Sequence, residues 1–280
     1  MIRVLILLLL CFGSLQAEKY TLSVAAIFQN EAPYMQEWLE YHHSHGVEHF
    51  WLYNNNSTDN YSEILKSWIK ADIVELIQWP SVQQENDWSN YSFTVQTGAY
   101  NNAIQRARKK SKWLALIDLD EFIVCSRLQN ITDLLESEYS HVSGLCVNWQ
   151  CYGTSKVDNL SLLSDGRLLP NLLWKMRWDD DWNKHSKSIV QPSHVEHCPN
   201  PHFCVYKPGH WAVDTHYNAC PVCPQAVYID KIRINHYWTR DEWFLHNIKI
   251  PRYQKWGGSV EQVLNHANNM NAEYDDIMIR

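Results

Sequence analysis

No glycine-rich phosphate-binding fingerprint occurs in this chain: neither G-x-G-x-x-G nor G-x-x-x-x-G-K-[ST] can be read among its nine glycines. A nicotinamide-binding Rossmann fold and a phosphate-cradling P-loop therefore lack support. Positive charge is also scarce, with 24 Lys plus Arg against 31 Asp plus Glu, which excludes a nucleic-acid binder working by simple basic attraction. A disordered polymer is excluded too, because 45% of the residues are apolar. No period of roughly 20 to 50 residues repeats, and no low-complexity linker divides the chain. Its 280 residues therefore make one domain or at most two.

Long hydrophobic runs are missing as well, apart from Val4 to Phe12, which follows Arg3 and precedes the small residues Gly13, Ser14 and Ala17. That run is half the roughly 20 residues a spanning helix needs, so residues 1–17 read as a secretory signal peptide. An uncleaved segment would be the only route to the membrane. The expected location is a secretory-pathway lumen or a bacterial envelope. Processing would leave 23 basic against 31 acidic side chains, a charge of −8, and seven cysteines. Cys198, Cys204, Cys220 and Cys223 share one short stretch with His197, His202, His210 and His216. A zinc site can be drawn from them; two local disulfides are the alternative that export favours, with Cys125, Cys146 and Cys151 supplying a third bridge and a spare thiol.

What is present is an alternation. Leu22 to Phe28 is an apolar run, Pro33 suits a first helical turn, and Met35, Trp38, Leu39 and His42 recur at helical spacing until Gly46. Val47 to Tyr53, Ile73 to Trp79 and Trp113 to Ile117 read as further strands; Ile64, Leu65, Trp68 and Ile69, then Val95, Ala99, Ala103, Ile104 and Ala107, mark the helices between them. Strand, helix, strand predicts an α/β domain with a mainly parallel sheet sandwiched by helices, and ligands bind at the carboxyl ends of such strands.

Polar residues stand at those ends. The fourth strand runs into Asp118, Leu119, Asp120 and Glu121. Three carboxylates with no Lys or Arg in the same turn are costly unless solvated, protonated or neutralised by a cation, and hard oxygen ligands suit Mn²⁺ or Mg²⁺. A polar turn is the plain alternative for Asp-x-Asp.

Four stretches in order, "AIFQNEAPYMQEWLEYHHSHGVEHFWLYNNNSTDN", "AYNNAIQRARKKSKWLALIDLDEFIV", "HSKSIVQP" and "INHYWTRDEWFLHNIKIPR", make the sequence resemble the GT-A glycosyltransferases, in particular glycosyltransferase family 92 and its family 2-like relatives. The resemblance implies a GT-A, Rossmann-like fold with a Cys-rich acceptor-side insertion: a nucleotide-sugar half over residues 18–125 and an acceptor half over 126–280. It implies a metal-dependent enzyme that moves a sugar from a nucleoside diphosphate donor, such as UDP-galactose, to a glycan or other hydroxyl acceptor with inversion. A catalytically inactive carbohydrate-binding module and a sugar-nucleotide hydrolase are the alternatives.

Carried over residue by residue, the resemblance makes Asp118 and Asp120 the metal-binding D-x-D, with His236 completing the metal shell or serving as a structural strand-end histidine. Asn30 and Glu31 look like donor contacts that also suit a helix start, and Asn54, Asp59 and Asn102 like further nucleotide contacts. Lys187 matches a recurring family lysine that steadies diphosphate or acceptor oxygens. The base is expected in the run Asp179 to Asp181, with Asp181 chosen; Glu242 competes, but Thr239 to Glu242 also spells a capping box. Trp149, Tyr152, Trp174, Trp178, Trp182 and Trp211 are candidate sugar platforms. An acidic protein cannot hold an anionic donor through its overall field, so metal removal is expected to abolish donor binding as well as turnover.

Overall fold

A computed structural model describes residues 18–81, 91–126 and 130–279. The expected signal segment lies outside these residues. Among them, no helix is long and apolar enough to cross a membrane.

The first half builds the predicted alternation: β1 (Tyr20–Phe28), α1 (Ala32–Ser44), β2 (His49–Asn54), α2 (Tyr61–Lys70), β3 (Val74–Gln78), a π-helical turn Tyr91–Gln96 that runs into α3 (Thr97–Ala107), β4 (Ser111–Leu116), β5 (Glu121–Cys125) and α4 (Ile131–Glu138). The second half is strand-rich: β6 (Gly144–Cys151), β7 (Trp174–Lys175), β8 (Ser186–Val190), β9 (Val195–Asn200), β10 (Phe203–Tyr206), β11 (Ala212–Asp214) and β12 (Ile232–His236). A short α-turn Glu242–Phe244, a π-turn Leu245–Lys249, α5 (Ile250–Lys255), α6 (Val260–Asn269) and β13 (Glu273–Tyr274) follow.

One nine-stranded sheet runs β3-β2-β1-β4-β8-β6-β12-β5, with β11 beside β6. Five of its eight pairings are parallel, so it is mainly parallel as expected. Strands of the two expected halves interleave in it, because β4 pairs with β8 and β5 with β12. Side chains alternate between its faces. Leu22, Val24, Ala26 and Phe28 of β1 join Phe50, Leu52, Trp113 and Ala115 in the core under α1 and α2, while Ala25, Ile27, Trp51, Tyr53, Leu114 and Leu116 pack on the other face against α3. Burial on both faces explains why these strands read as unbroken apolar runs.

Several local expectations are corrected. Asn30 does not cap α1; its backbone is left-handed (φ 57°), and its Oδ1 accepts from Thr58 N at 2.8 Å. Asp59 caps the helix from the neighbouring loop, accepting from Ala32 N at 2.8 Å. The capping box at Thr239 is displaced by two residues: Asp241 is the N-cap, accepting from Phe244 N at 2.7 Å, and its second oxygen takes Leu160 N at 2.7 Å. The Cys-rich stretch is not a separate flap, since β9 and β10 form a hairpin and β11 joins the main sheet. All seven described cysteines are free thiols, and the neighbours are Cys198 with Cys204 and Cys146 with Cys220, so the C-x-x-C pair does not close on itself.

Asp241→Ala should lower stability by about 2–4 kcal/mol, because it strips a cap and orphans two amides at a residue only 2% exposed. Thermal unfolding checks this, and an unchanged Tm contradicts it.

Candidate active site

β4 ends in the turn that carries the carboxylates. Glu121 N donates to Asp118 O at 3.2 Å, and Asp118 N donates to Glu121 Oε2 at 2.8 Å, so the two residues lock the turn. Because β8 lies beside β4, it delivers Lys187, 1% exposed, whose Nζ donates to Asp118 Oδ2 at 2.7 Å and lies 3.5 Å from Glu121 Oε2. From α3's side, Gln96 Nε2 and Tyr100 OH donate to Asp118 Oδ1 at 2.8 and 3.0 Å. Burial would lower the Lys187 pKa, but Asp118 and Glu121 outweigh it and raise it, so the ammonium persists. Burial, together with Asp118 and Asp120, pushes Glu121 well above the usual carboxylate range against the pull of Lys187.

The antiparallel pairing of β12 with β5 sets His236 opposite Glu121 in register. That register brings His236 Nε2 to 3.6 Å from Asp120 Oδ1, with the ring packed 4.3 Å from Trp149. Arg240 follows in a left-handed backbone (φ 52°), stacked between Tyr34 and Phe244; its Nη2 lies 2.5 Å from Glu31 Oε2 and 3.9 Å from Asp120 Oδ2. A non-glycine residue there stores strain of order 1–2 kcal/mol. Burial would raise the Asp120 pKa, yet His236, Arg240 and Lys249 hold it well below the usual range. Burial lowers the His236 pKa against the raising pull of Asp120.

These groups face a cavity of about 700 Å³, the size of a small-molecule site. Glu31, Asp118, Asp120, Lys187 and His236 line it; Asn30, Asn54, Asp59, Asn102 and Asp181 do not. The reasons are physical. Asn54 is consumed by Tyr61, Gln78 and Ser57 N, Asn102 Oδ1 by Tyr53 and Arg106, and Asn30 and Asp59 by the loops they tie. Asp181 is 87% exposed and paired with Lys184 at 2.7 Å, Asp179 pairs with Arg177, and Asp180 caps the turn at Trp182 N. Of the expected sugar platforms, Trp149 and Trp182 line the cavity, whereas Tyr152 is core and Trp174, Trp178 and Trp211 face solvent.

Three residues that sequence reasoning missed also line it: His185, Lys249 and Arg252. His185 stacks 5.0 Å from Trp149, and its Nδ1 lies 2.9 Å from Trp182 O, a contact only Nδ1–H can make in the neutral ring, which leaves the lone pair on Nε2. The Lys249 ammonium sits 4.3 Å over the Trp238 ring, and burial with Arg252 and Arg240 nearby lowers its pKa to about 7 against the opposing pull of Asp120. Both basic residues fall inside the last matched stretch.

Asp120 and His236 fit a divalent cation: a carboxylate oxygen and the imidazole Nε2 face each other at 3.6 Å. Among the described residues, no group of three or more His, Cys, Asp or Glu side chains converges on a metal position. Asp118 meanwhile accepts from Gln96, Tyr100 and Lys187.

The model of glycosyltransferase family 92 matches residues 18–278. The chain belongs to glycosyltransferase family 92. A family 92 protein of Ricinus communis is 27% identical over 146 residues, 50% of this chain and 24% of that protein. One of Arabidopsis thaliana is 29% identical over 105 residues, 37% of this chain and 16% of that protein. The family 92 chain thus matches about a quarter or less of the length of these relatives. Among solved structures, Staphylococcus aureus TarS 1-349 in complex with UDP overlays at TM-score 0.37 and 11% identity, covering 62% of this chain and 47% of that one. Glucosyl-3-phosphoglycerate synthase from Mycobacterium tuberculosis in complex with Mn²⁺, UDP and glucosyl-3-phosphoglycerate overlays at 0.34 and 10%, covering 63% and 58%.

Proposed function

We propose that this protein transfers a sugar from a nucleoside diphosphate donor, a UDP-hexose such as UDP-galactose, to a hydroxyl of a glycan acceptor with inversion at the anomeric carbon. One juxtaposition carries the reading: the Asp118-Leu119-Asp120 turn and His236, joined through the β5–β12 register, share a cavity with Lys187, Trp149 and His185. In the transfer, an acceptor oxygen bonds to the anomeric carbon as the carbon–phosphate-oxygen bond breaks. The diphosphate leaves with the bonding pair, and the hydroxyl proton passes to a base. Bound by Asp120 and His236, Mn²⁺ or Mg²⁺ would supply Lewis-acid neutralisation of the leaving diphosphate. Lys187 holds Asp118 in place, Trp149 packs between His185 and His236 and positions both rings at the cavity, and His185 Nε2 replaces Asp181 as the group that takes the proton.

Incubating the full chain with Mn²⁺, a panel of UDP-sugars and glycan acceptors, with mass detection of products, tests this. Transfer to an acceptor is the expected result, and EDTA should reduce it about a hundredfold or more. Donor binding without turnover would mark a binding module, and free sugar that no acceptor diverts would mark a hydrolase; either outcome defeats the reading. Export is part of the proposal: N-terminal sequencing of the mature chain should begin at Glu18, and retention of Met1 contradicts it.

A further inference from the structure

We infer that Lys249 and Arg252 form a phosphate clamp that holds the diphosphate of the donor through protein cations, independently of any metal. The inference rests on the nucleotide-sugar reading above and names the residues that take the anion. Lys249 ends the π-turn and Arg252 lies in α5, so their i, i+3 spacing puts them on one helical face, and both line the cavity that Asp118, Asp120 and His236 line. Both are half-buried, and neither has a carboxylate within 4.0 Å among the described residues. Most other half-buried or buried cations around the site are matched: Lys187 by Asp118, Arg240 by Glu31, Arg233 by Asp275. Asp120 and Glu31 act on these two partly desolvated basic groups only from beyond ion-pair range, a cost that an anion entering between them offsets. Lys249 is steered meanwhile by the face of Trp238, an arrangement worth little against a phosphate oxygen.

The charge balance agrees. Setting aside Lys255, which is engaged elsewhere, the described residues lining the cavity include Lys187, Lys249 and Arg252 against Glu31, Asp118 and Asp120, three basic and three acidic groups in a chain of formal charge −7. The overall field repels an anion, and the cavity wall is less acidic than the chain as a whole. On this reading donor binding is not wholly metal-borne, which departs from the expectation drawn from composition.

The test is calorimetric titration of the full chain with inorganic pyrophosphate, UDP and uridine, in EDTA and in Mn²⁺ at fixed ionic strength. Wild type should bind pyrophosphate and UDP in EDTA. Lys249→Ala and Arg252→Ala should each weaken both by about tenfold while leaving uridine binding and Tm unchanged, and the surface control Lys109→Ala should change nothing. Absence of pyrophosphate binding in EDTA, or variants that bind like wild type, overturns the clamp while UDP binding in Mn²⁺ keeps the donor reading. Equal loss of uridine binding also overturns it, because the residues would then serve the nucleoside. Failure of UDP to bind wild type under either condition removes both readings.

Discussion

Asp120→Asn should abolish sugar transfer, by about a thousandfold or more, in a protein that still folds. The substitution keeps the shape of the side chain and removes its charge. Its structural cost is small because the ionic contacts of Asp120 are long, 3.6 Å to His236 and 3.9 Å to Arg240. Its chemical cost is large, since it takes away the carboxylate that faces His236 across the space a cation fits. His236, Arg240 and Lys249 hold the Asp120 carboxyl well below the usual carboxylate range against the pull of burial, so wild type has a negative charge to lose. Mn²⁺ titration by calorimetry should show weakened metal binding in the variant, with circular dichroism and Tm near wild type. Retention of full activity would sink the assignment. The contrast with Asp118→Asn is informative: three donors already engage Asp118, so that change should disturb the turn and its packing more than it disturbs metal affinity.

The elements that the sequence made legible are those whose signal is local. β1, β2 and β4 are buried on both faces, and such strands have to be continuous apolar runs. Asp118, Asp120, Lys187 and His236 were readable because each lies inside a contiguous matched stretch at a strand end. Glu31 was readable for the same reason. Asn30, Asn54, Asp59 and Asn102 carry the same outward signal, polar residues beyond strand ends, but turns and caps demand the same residue types. Only hydrogen-bond partners separate the two uses, and those partners come from other loops: Thr58 N for Asn30, Ala32 N for Asp59, Tyr53 for Asn102. Asp181 failed because the run Asp179 to Asp181 is a surface turn whose charges pair with Arg177 and Lys184. Lys249 and Arg252 were invisible for the converse reason. Their spacing is ordinary for a solvated helix, and what sets them apart is the lack of a nearby carboxylate, a property of the fold.

The largest stability effect is expected at Lys187. Its ammonium is 1% exposed and stands between Asp118 at 2.7 Å and Glu121 at 3.5 Å, where Glu121 is itself fully buried. Lys187→Met keeps most of the packing and leaves those carboxylates facing one another without compensation. Breaking a buried pair on one side costs about 3–5 kcal/mol, or roughly 6–20 °C in Tm for a chain of this size. The pH dependence has a fixed sign. The folded-state pKa of Glu121 is already raised by burial, and removing Lys187 raises it further. A carboxylate raised on folding contributes stability below its unfolded pKa and loses it as pH rises through the folded value. The Tm gap between variant and wild type should therefore narrow as pH falls from about 8 to about 5. Adding Glu121→Gln to Lys187→Met should recover part of the loss, because the double change removes the stranded charge together with its partner. If the gap is flat with pH and Glu121→Gln gives no recovery, Lys187 holds the turn by packing alone, and its ion pairs with Asp118 and Glu121 contribute nothing to the fold.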